Sequence, residues 1–81
     1  MAITLVVEAD GRDVGHSAST VDFSNLGARI RARVGLTGGQ AVRIIVYERK
    51  REAVPCRVVW VGEAEAHGYR EAGLEFLAPF E

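Results

Sequence analysis

The 81-residue sequence lacks several features that mark whole classes of proteins. It has a single cysteine, so no intramolecular disulfide can form. Its net charge of −1 lacks the basic excess of a general nucleic-acid binder, so no nucleic-acid polymer is expected as a partner. It has no run of ~20 apolar residues, and its start, MAITLVVEADG, lacks the positive segment of a signal peptide. These absences predict a cytoplasmic protein without direct membrane insertion.

The sequence also lacks the groupings of side chains that carry enzyme chemistry. His16 and His67 are isolated, and neither has a partner at the spacing of metal ligands. Cys56 lies in the apolar run VPCRVVWV, which favours a small core residue over a nucleophile. Neither paired carboxylates nor an activated nucleophile can be recognised. We therefore expect no enzyme activity, no metal and no cofactor.

What is present indicates one compact domain over residues 1–81. Hydrophobic residues make up 48% of the chain and charged residues 26%, a balance that disfavours disorder. Period-two alternation between turn residues marks six strands, and the only helix-like segment, EAEAH, is too short. The sequence therefore predicts an all-β, six-stranded antiparallel barrel with little or no helix. The predicted strands are 2–9, 14–23, 28–34, 40–48, 53–63 and 69–78, with a charged tip, ERKRE, at 48–52.

The third strand, ARIRARV, alternates small or apolar residues with Arg29, Arg31 and Arg33. We favour a solvated outer barrel face, whose charges discourage aggregation. The alternative is a patch that binds an anion or a partner. The residues expected to be largely buried are Ile30, Ile44, Val46, Val58, Trp60, Leu74 and Phe76.

The segment between the second and third strands reads Asp22-x-Ser24-x-x-Gly27. As a structural turn, it would use Asp22 and Ser24 to accept backbone N–H groups, and Gly27 for a positive φ or a close approach. A functional interpretation is equally open. A carboxylate can accept the N1–H and N2–H groups of guanine, a hydroxyl can donate to a phosphate oxygen or guanine N7, and glycine leaves room for a base.

The hexapeptide, taken in order with the Trp60 strand and the returning Gly73-Leu74-Glu75-Phe76, resembles the PilZ domain. This family is a bacterial second-messenger receptor module for cyclic di-GMP, and the resemblance runs from about residue 3 to residue 78. It implies a six-stranded antiparallel PilZ-like β-barrel. It also implies that Asp22 and Ser24 meet guanine and phosphate, that Gly27 keeps the turn open, and that Asn25 adds a contact.

The sequence departs from the family at its start. The family's other motif, Arg-x-x-x-Arg, lies ahead of the first strand and grips the phosphates, whereas only Met1 and Ala2 stand there in this sequence. Arg29 and Arg33 have the right spacing but follow the hexapeptide along a strand. The resemblance therefore implies weakened cyclic di-GMP binding, with Arg29 and Arg12 as candidate phosphate contacts.

Three functions follow from these observations. The first is a cyclic di-GMP-binding regulatory domain that acts on an unidentified protein partner. The second is a PilZ-type adaptor that binds no nucleotide and works through protein contacts. The third, a barrel that binds single-stranded nucleic acid, is disfavoured by the near-neutral charge and the few aromatic residues.

Overall fold

The computed structural model describes residues 1–47 and 52–78, and these form a closed antiparallel β-barrel. The strand order around the barrel is β1-β2-β3-β6-β5-β4, and β4 pairs with β1 to close it. The predicted fold class is confirmed. The strands are β1 (Ala2–Ala9), β2 (Arg12–Phe23), β3 (Gly27–Ala32), β4 (Ala41–Ile45), β5 (Ala53–Val61) and β6 (Arg70–Phe76).

The connections differ from the prediction mainly at strand ends. β2 begins two residues earlier than predicted because Asp10 and Gly11, both with positive φ, close a two-residue hairpin that pairs Ala9 with Arg12. The segment EAEAH ends in a single 3-10 turn, Ala66–Gly68, in keeping with the expectation of little or no helix. Residues 48–51 of the predicted charged tip lie outside the described residues.

The barrel interior is aliphatic. On β3 the predicted alternation is confirmed: Ala28, Ile30 and Ala32 are buried, and the arginines between them face outward. No polar or charged residue is buried in the described part of the chain, so the interior contributes packing and no chemistry. The buried core residues are Ile3, Leu5, Val7, Ala28, Ile30, Ala32, Val42, Ile44, Val46, Val54, Cys56, Val58, Ala72 and Leu74.

Cys56 is a core residue, as predicted. Its side chain is completely buried on β5, and its Sγ donates to the carbonyl oxygen of Val54 at 3.4 Å. Burial disfavours the charged thiolate and raises the pKa of Cys56 to about 12. The thiol is therefore protonated at neutral pH and is not a nucleophile.

Two β-bulges interrupt the otherwise regular strand pairing. In the β2–β3 pair the register shifts between Thr20 and Asp22, and in the β5–β6 pair it shifts between Val58 and Trp60. The β1–β2, β1–β4, β4–β5 and β3–β6 pairs keep a continuous register. A bulge places two residues of one strand opposite one of its partner, so the residues beyond it change faces relative to simple alternation.

The bulge in β5 explains the one clear error among the predicted core residues. Trp60, predicted to be buried, is 42% exposed, because Val59 and Trp60 both face outward before Val61 turns back inside. Phe76 is only partly buried; it packs against the core, and its ring centroid lies 5.5 Å from that of Phe23. The burial predicted for the other members of the set is confirmed: Ile30, Ile44, Val46, Val58 and Leu74.

Candidate functional site

The turn between β2 and β3 is held together by Ser24. Its backbone N–H donates to the carbonyl oxygen of Gly27 at 2.9 Å, and its Oγ accepts the N–H of Leu26 at 3.2 Å. The hydroxyl also donates to the Gly27 carbonyl oxygen at 3.4 Å, a longer contact. The capping role predicted for Ser24 is confirmed. The side chain stays exposed at the surface, so its Oγ remains within reach of a ligand.

Asp22 forms an ion pair with Arg29 on the neighbouring strand. The bulge at Val21 brings Asp22 opposite Arg29 on the outer face, where its Oδ2 lies 2.6 Å from the Arg29 Nη2. The described hydrogen bonds include none from a turn N–H group to Asp22, whose described partner is Arg29. Its side chain is 69% exposed, so the ion pair contributes at most about 1 kcal/mol and a ligand can compete for the carboxylate.

Gly27 is required by close approach rather than by a positive φ. A Cβ at this position would overlap the backbone carbonyl oxygen of Leu74 on β6. The N–H of Phe76 donates to the Leu26 carbonyl oxygen at 2.9 Å, which ties the turn to the same strand. Gly27 therefore lets the turn lie directly against β6, and this contact fixes the position of Ser24 relative to the barrel.

Trp60 is the site residue that the sequence interpretation missed, since the expectation placed it in the core. After the bulge, Trp60 lies opposite Gly73, and a Cβ on Gly73 would overlap the indole ring. The ring therefore rests on the bare backbone of β6, on the outer surface of the barrel. A glycine inside a strand, opposite a tryptophan on the neighbouring strand, was the available signal for such a close approach.

These groups meet in one open cavity of about 410 Å³ on the outer face of the barrel. One side carries the carboxylate, the hydroxyl and the glycine of the hexapeptide, and another carries the indole. The cavity therefore combines an acceptor, a donor and an aromatic surface, which together suit a planar ligand with an N–H edge. The residues that supply these groups are Asp22, Ser24, Gly27, Arg29, Trp60 and Gly73.

Of the other three predicted site residues, one lines the cavity and two do not. Arg29 lines the cavity, and its Nε also lies 3.8 Å from the Glu71 Oε1, so the guanidinium stands between two carboxylates. Asn25 is exposed in the turn and is not among the residues that line the cavity. Arg12 lies at the opposite end of β2, ten residues before Asp22, and the structure does not bring it to the site.

The described residues contain no group of three or more His, Cys, Asp or Glu side chains that could hold a metal ion. None of their helices has the length and apolar character needed to cross a membrane. The cavity at the turn is where the structure brings Asp22, Ser24 and Gly27 of the predicted site together.

Comparison with known proteins identifies a family for the chain. The family model described as the PilZ domain matches residues 1–80. This family is a regulatory, ligand-binding module rather than a family of enzymes. No curated protein and no solved structure gives a significant match.

Proposed function

The chain belongs to the PilZ domain family, and we propose on that premise that it is a cyclic di-GMP-binding regulatory domain. The proposal places the nucleotide in the cavity at the β2–β3 turn. It carries the expectation of a cytoplasmic protein that passes the ligand signal to a protein partner. The nucleotide is a ligand in this proposal and not a cofactor of a reaction.

One observation supports this function above the others. Both bulges of the barrel border the same cavity: one turns Asp22 outward, and the other turns Trp60 outward. A barrel that needed only a stable hairpin would require the Ser24 cap and the Gly27 contact. Such a barrel would not gain stability by exposing the Trp60 indole in the cavity that Asp22 also lines. Burying the indole in the core would stabilise the fold more.

The cavity groups divide the recognition of the ligand between them. The Asp22 carboxylate is the acceptor for the N1–H and N2–H edge of guanine, and the Trp60 indole is a surface on which a base can stack. Base stacking on an aromatic side chain contributes about 1–3 kcal/mol. To accept the guanine edge fully, Asp22 must release the Arg29 guanidinium, which then has Glu71 or a ligand phosphate as its partner.

We expect the 81 residues by themselves to bind the nucleotide weakly. Arg29 is the only arginine that lines the cavity in the described part of the chain, and the sequence has no arginine ahead of β1. A charge-assisted hydrogen bond contributes about 1.5–3 kcal/mol, so a missing arginine pair lowers affinity by about two to four orders of magnitude.

The deciding experiment is isothermal titration of cyclic di-GMP into the chain, with and without an added Arg-x-x-x-Arg segment ahead of Ala2. We expect weak binding by the chain alone and tighter binding with the extension. Asp22→Ala and Trp60→Ala should each weaken binding to the extended chain by about tenfold or more. Cyclic di-AMP should bind less well than cyclic di-GMP, because adenine lacks the donor edge that Asp22 accepts.

One control variant and one further cavity variant make the test specific. Arg57→Ala removes an exposed arginine on β5 whose nearest carboxylate, on Glu75, is 3.8 Å away, and it should leave nucleotide affinity unchanged. Gly73→Ala places a methyl group where the indole rests, so it should weaken binding with little change in the secondary structure. If the extension gives no gain and Asp22→Ala has no effect, the nucleotide does not occupy this cavity.

The second candidate is a PilZ-type adaptor that works through protein contacts alone. A specific observation favours it: Asp22 is already paired with Arg29, while apolar side chains at the turn and the β5 bulge are exposed. Leu26 is 81% exposed and Val59 58% exposed, and neither side chain contributes to the core. This function leads if the extended chain does not bind cyclic di-GMP.

A further inference from the structure

A second polar surface lies farther along the outer face of β3, away from the turn. The ring of Tyr69, just before β6, is flanked by two guanidinium groups: Arg31 at 4.7 Å and Arg33 at 5.4 Å from the ring centroid. We call these three residues the tyrosine cluster. Arg33 directly follows the end of β3, four residues beyond Arg29, and no residue that lines the cavities beside Tyr69 also lines the cavity at the turn. The cluster is therefore separate from the cavity at the turn.

The two arginines of the tyrosine cluster differ in how far their charge is satisfied. The Nε of Arg31 donates to the Glu65 Oε1 at 2.8 Å, and no other hydrogen bond of its guanidinium is among those described. Arg33 has no carboxylate partner among the described residues, and its contact with the Tyr69 ring holds it in place. A guanidinium stacked on an aromatic ring keeps its N–H groups in the plane of the fork, where they can still donate.

Hydroxyl groups complete this surface. Two cavities, of about 410 and 230 Å³, adjoin the Tyr69 ring, and both are lined by Ser17 on the neighbouring β2 strand. Ser19 lines the smaller cavity together with Arg31, and Arg33 lines the larger one. Each cavity therefore combines a guanidinium with a hydroxyl from β2, and the two cavities share Ser17 and Tyr69.

We propose that the tyrosine cluster, with Ser17 and Ser19, is a phosphate-binding site on the outer face of the barrel. Phosphate fits better than a carboxylate because it offers more acceptor oxygens to donors that come from several directions. Arg31 is paired with Glu65 and lies opposite Glu71, which itself lies 3.8 Å from the Arg29 Nε. Arg33 has no such carboxylate among the described residues, so it supplies the positive charge that an anion requires. This assignment does not depend on nucleotide binding at the turn.

The test is a titration of the chain with inorganic phosphate at constant ionic strength, followed by NMR of the arginine Nε–Hε groups. We expect saturable shifts at Arg33 and Arg31, and none at Arg57, which lies on β5 without a ring contact among the described residues. Arg33→Ala should weaken phosphate binding about tenfold. Acetate, titrated in the same way, should produce weaker effects than phosphate.

Matched variants separate a built site from a general effect of charge. Arg57→Ala changes the net charge as Arg33→Ala does, and it should leave phosphate affinity unchanged. Tyr69→Phe keeps the ring and should bind as well as the natural chain, whereas Tyr69→Leu should bind more weakly. Thermal melts confirm that each variant is folded. Equal losses in Arg57→Ala and Arg33→Ala, or linear shifts shared by all arginines, would overturn the proposal.

The phosphate can be carried by the nucleotide of the turn site or by another molecule, and a second arm distinguishes these sources. If Arg33→Ala weakens binding of cyclic di-GMP as well as of inorganic phosphate, the nucleotide reaches both sites. If it weakens only inorganic phosphate, the cluster receives the phosphate of another molecule. Should cyclic di-GMP not bind at all, the proposed function fails, and the inorganic phosphate titration still decides the assignment of the cluster.

Discussion

The two sides of the barrel are built by different rules. On the side formed by β1 and β4, strand registers are continuous, and residues alternate between the core and the surface without a break. On the side formed around β3 and β6, two bulges interrupt the alternation, and both border the cavity at the turn. Both sides contribute aliphatic residues to the core, but in the described strands only the irregular side has bulges, and these turn Asp22 and Trp60 outward.

The bulges have a simple effect on which residues face solvent. Thr20 faces inward and Asp22 faces outward, with the exposed Val21 as the extra residue. Val58 faces inward and Trp60 faces outward, with the exposed Val59 as the extra residue. If the extra residue is removed from either bulge, every other residue of the strand keeps its present face. A deletion within a regular strand instead moves the residues on one side of it to the opposite face.

The largest expected difference comes from deletions that compare the two sides. Deleting Val59 should leave a folded barrel, because Val58 still faces Leu74 and Trp60 still faces Gly73 in a continuous register. Deleting Arg43 from β4 should abolish folding, because it turns either Val42 or Ile44 out of the core. Circular dichroism with thermal melts measures both.

The reason for this contrast is the size of the core. Each large aliphatic side chain contributes about 1.5–3 kcal/mol by its burial, and a small domain has about 5–15 kcal/mol of stability in total. A chain with Val59 deleted that unfolds as completely as the one with Arg43 deleted would show that the bulge is needed for the fold itself.

The next effect concerns the glycine beneath the turn. Gly27→Ala should lower the free energy of unfolding by about 3 kcal/mol, because the new methyl group would overlap the backbone of Leu74 and cannot be relieved by a side-chain rotation. Gly35→Ala is the control, since a Cβ there would meet no atom within 4 Å and its φ is not positive. Urea denaturation compares them, and equal midpoints would disprove the close approach at Gly27.

Cys56 on β5 should make the free energy of unfolding fall as the pH rises into the alkaline range. Its pKa rises from 9.0 to about 12 on folding, so the thiol stays neutral in the folded state while the unfolded chain ionises. Its contribution is therefore constant below about pH 9 and is lost between about pH 9 and 12, by about 1.4 kcal/mol per pH unit.

Cys56→Ala lacks this titration and is the matched control. The difference between the unfolding free energies of the two chains, followed from pH 8 to 11 by urea denaturation, isolates the thiol because every other group is common to both chains. A difference that stays flat over this range would mean that the folded barrel does not protect the thiol.

The smallest effects are expected for the polar groups of the turn. Ser24→Ala should cost about 1 kcal/mol, the size of one local hydrogen bond, while Asp22→Ala should cost less because its pair with Arg29 is exposed. Ser19→Ala on the outer face of β2 is a control that should change stability by less than about 0.5 kcal/mol. A loss of several kcal/mol in Asp22→Ala would assign that residue to the fold rather than to the ligand.

The sequence predicted the parts of the molecule that follow simple alternation. Along ARIRARV, exposed arginines alternate with residues that face the core, as expected. The alternation holds because β2 and β6 both pair with β3 at Ala28, Ile30 and Ala32. The hexapeptide located the turn and identified Ser24 and Gly27 as its structural residues. Its resemblance to the PilZ domain was confirmed by the match over residues 1–80.

Two parts of the site could not be read from the pattern. A bulge leaves no mark in hydrophobic periodicity when both residues involved are apolar, and Val59 and Trp60 look like two more residues of a core strand. The pairing of Asp22 with Arg29 depends on the register between β2 and β3, and the bulge between Thr20 and Asp22 sets that register. Side-chain exposure at the cavity therefore follows from strand pairing, which a single sequence does not state.

The start of the chain has a consequence for any experiment that adds to it. The Met1 carbonyl oxygen accepts the N–H of Thr20 at 2.8 Å, which fixes the first residue two positions from Asp22 along β2. A segment joined ahead of Met1 thus begins beside the cavity and explores only a small volume around it. A short flexible tether of this kind gives its side chains an effective concentration in the millimolar range. Arginines on such a tether need little affinity of their own to act on a bound ligand.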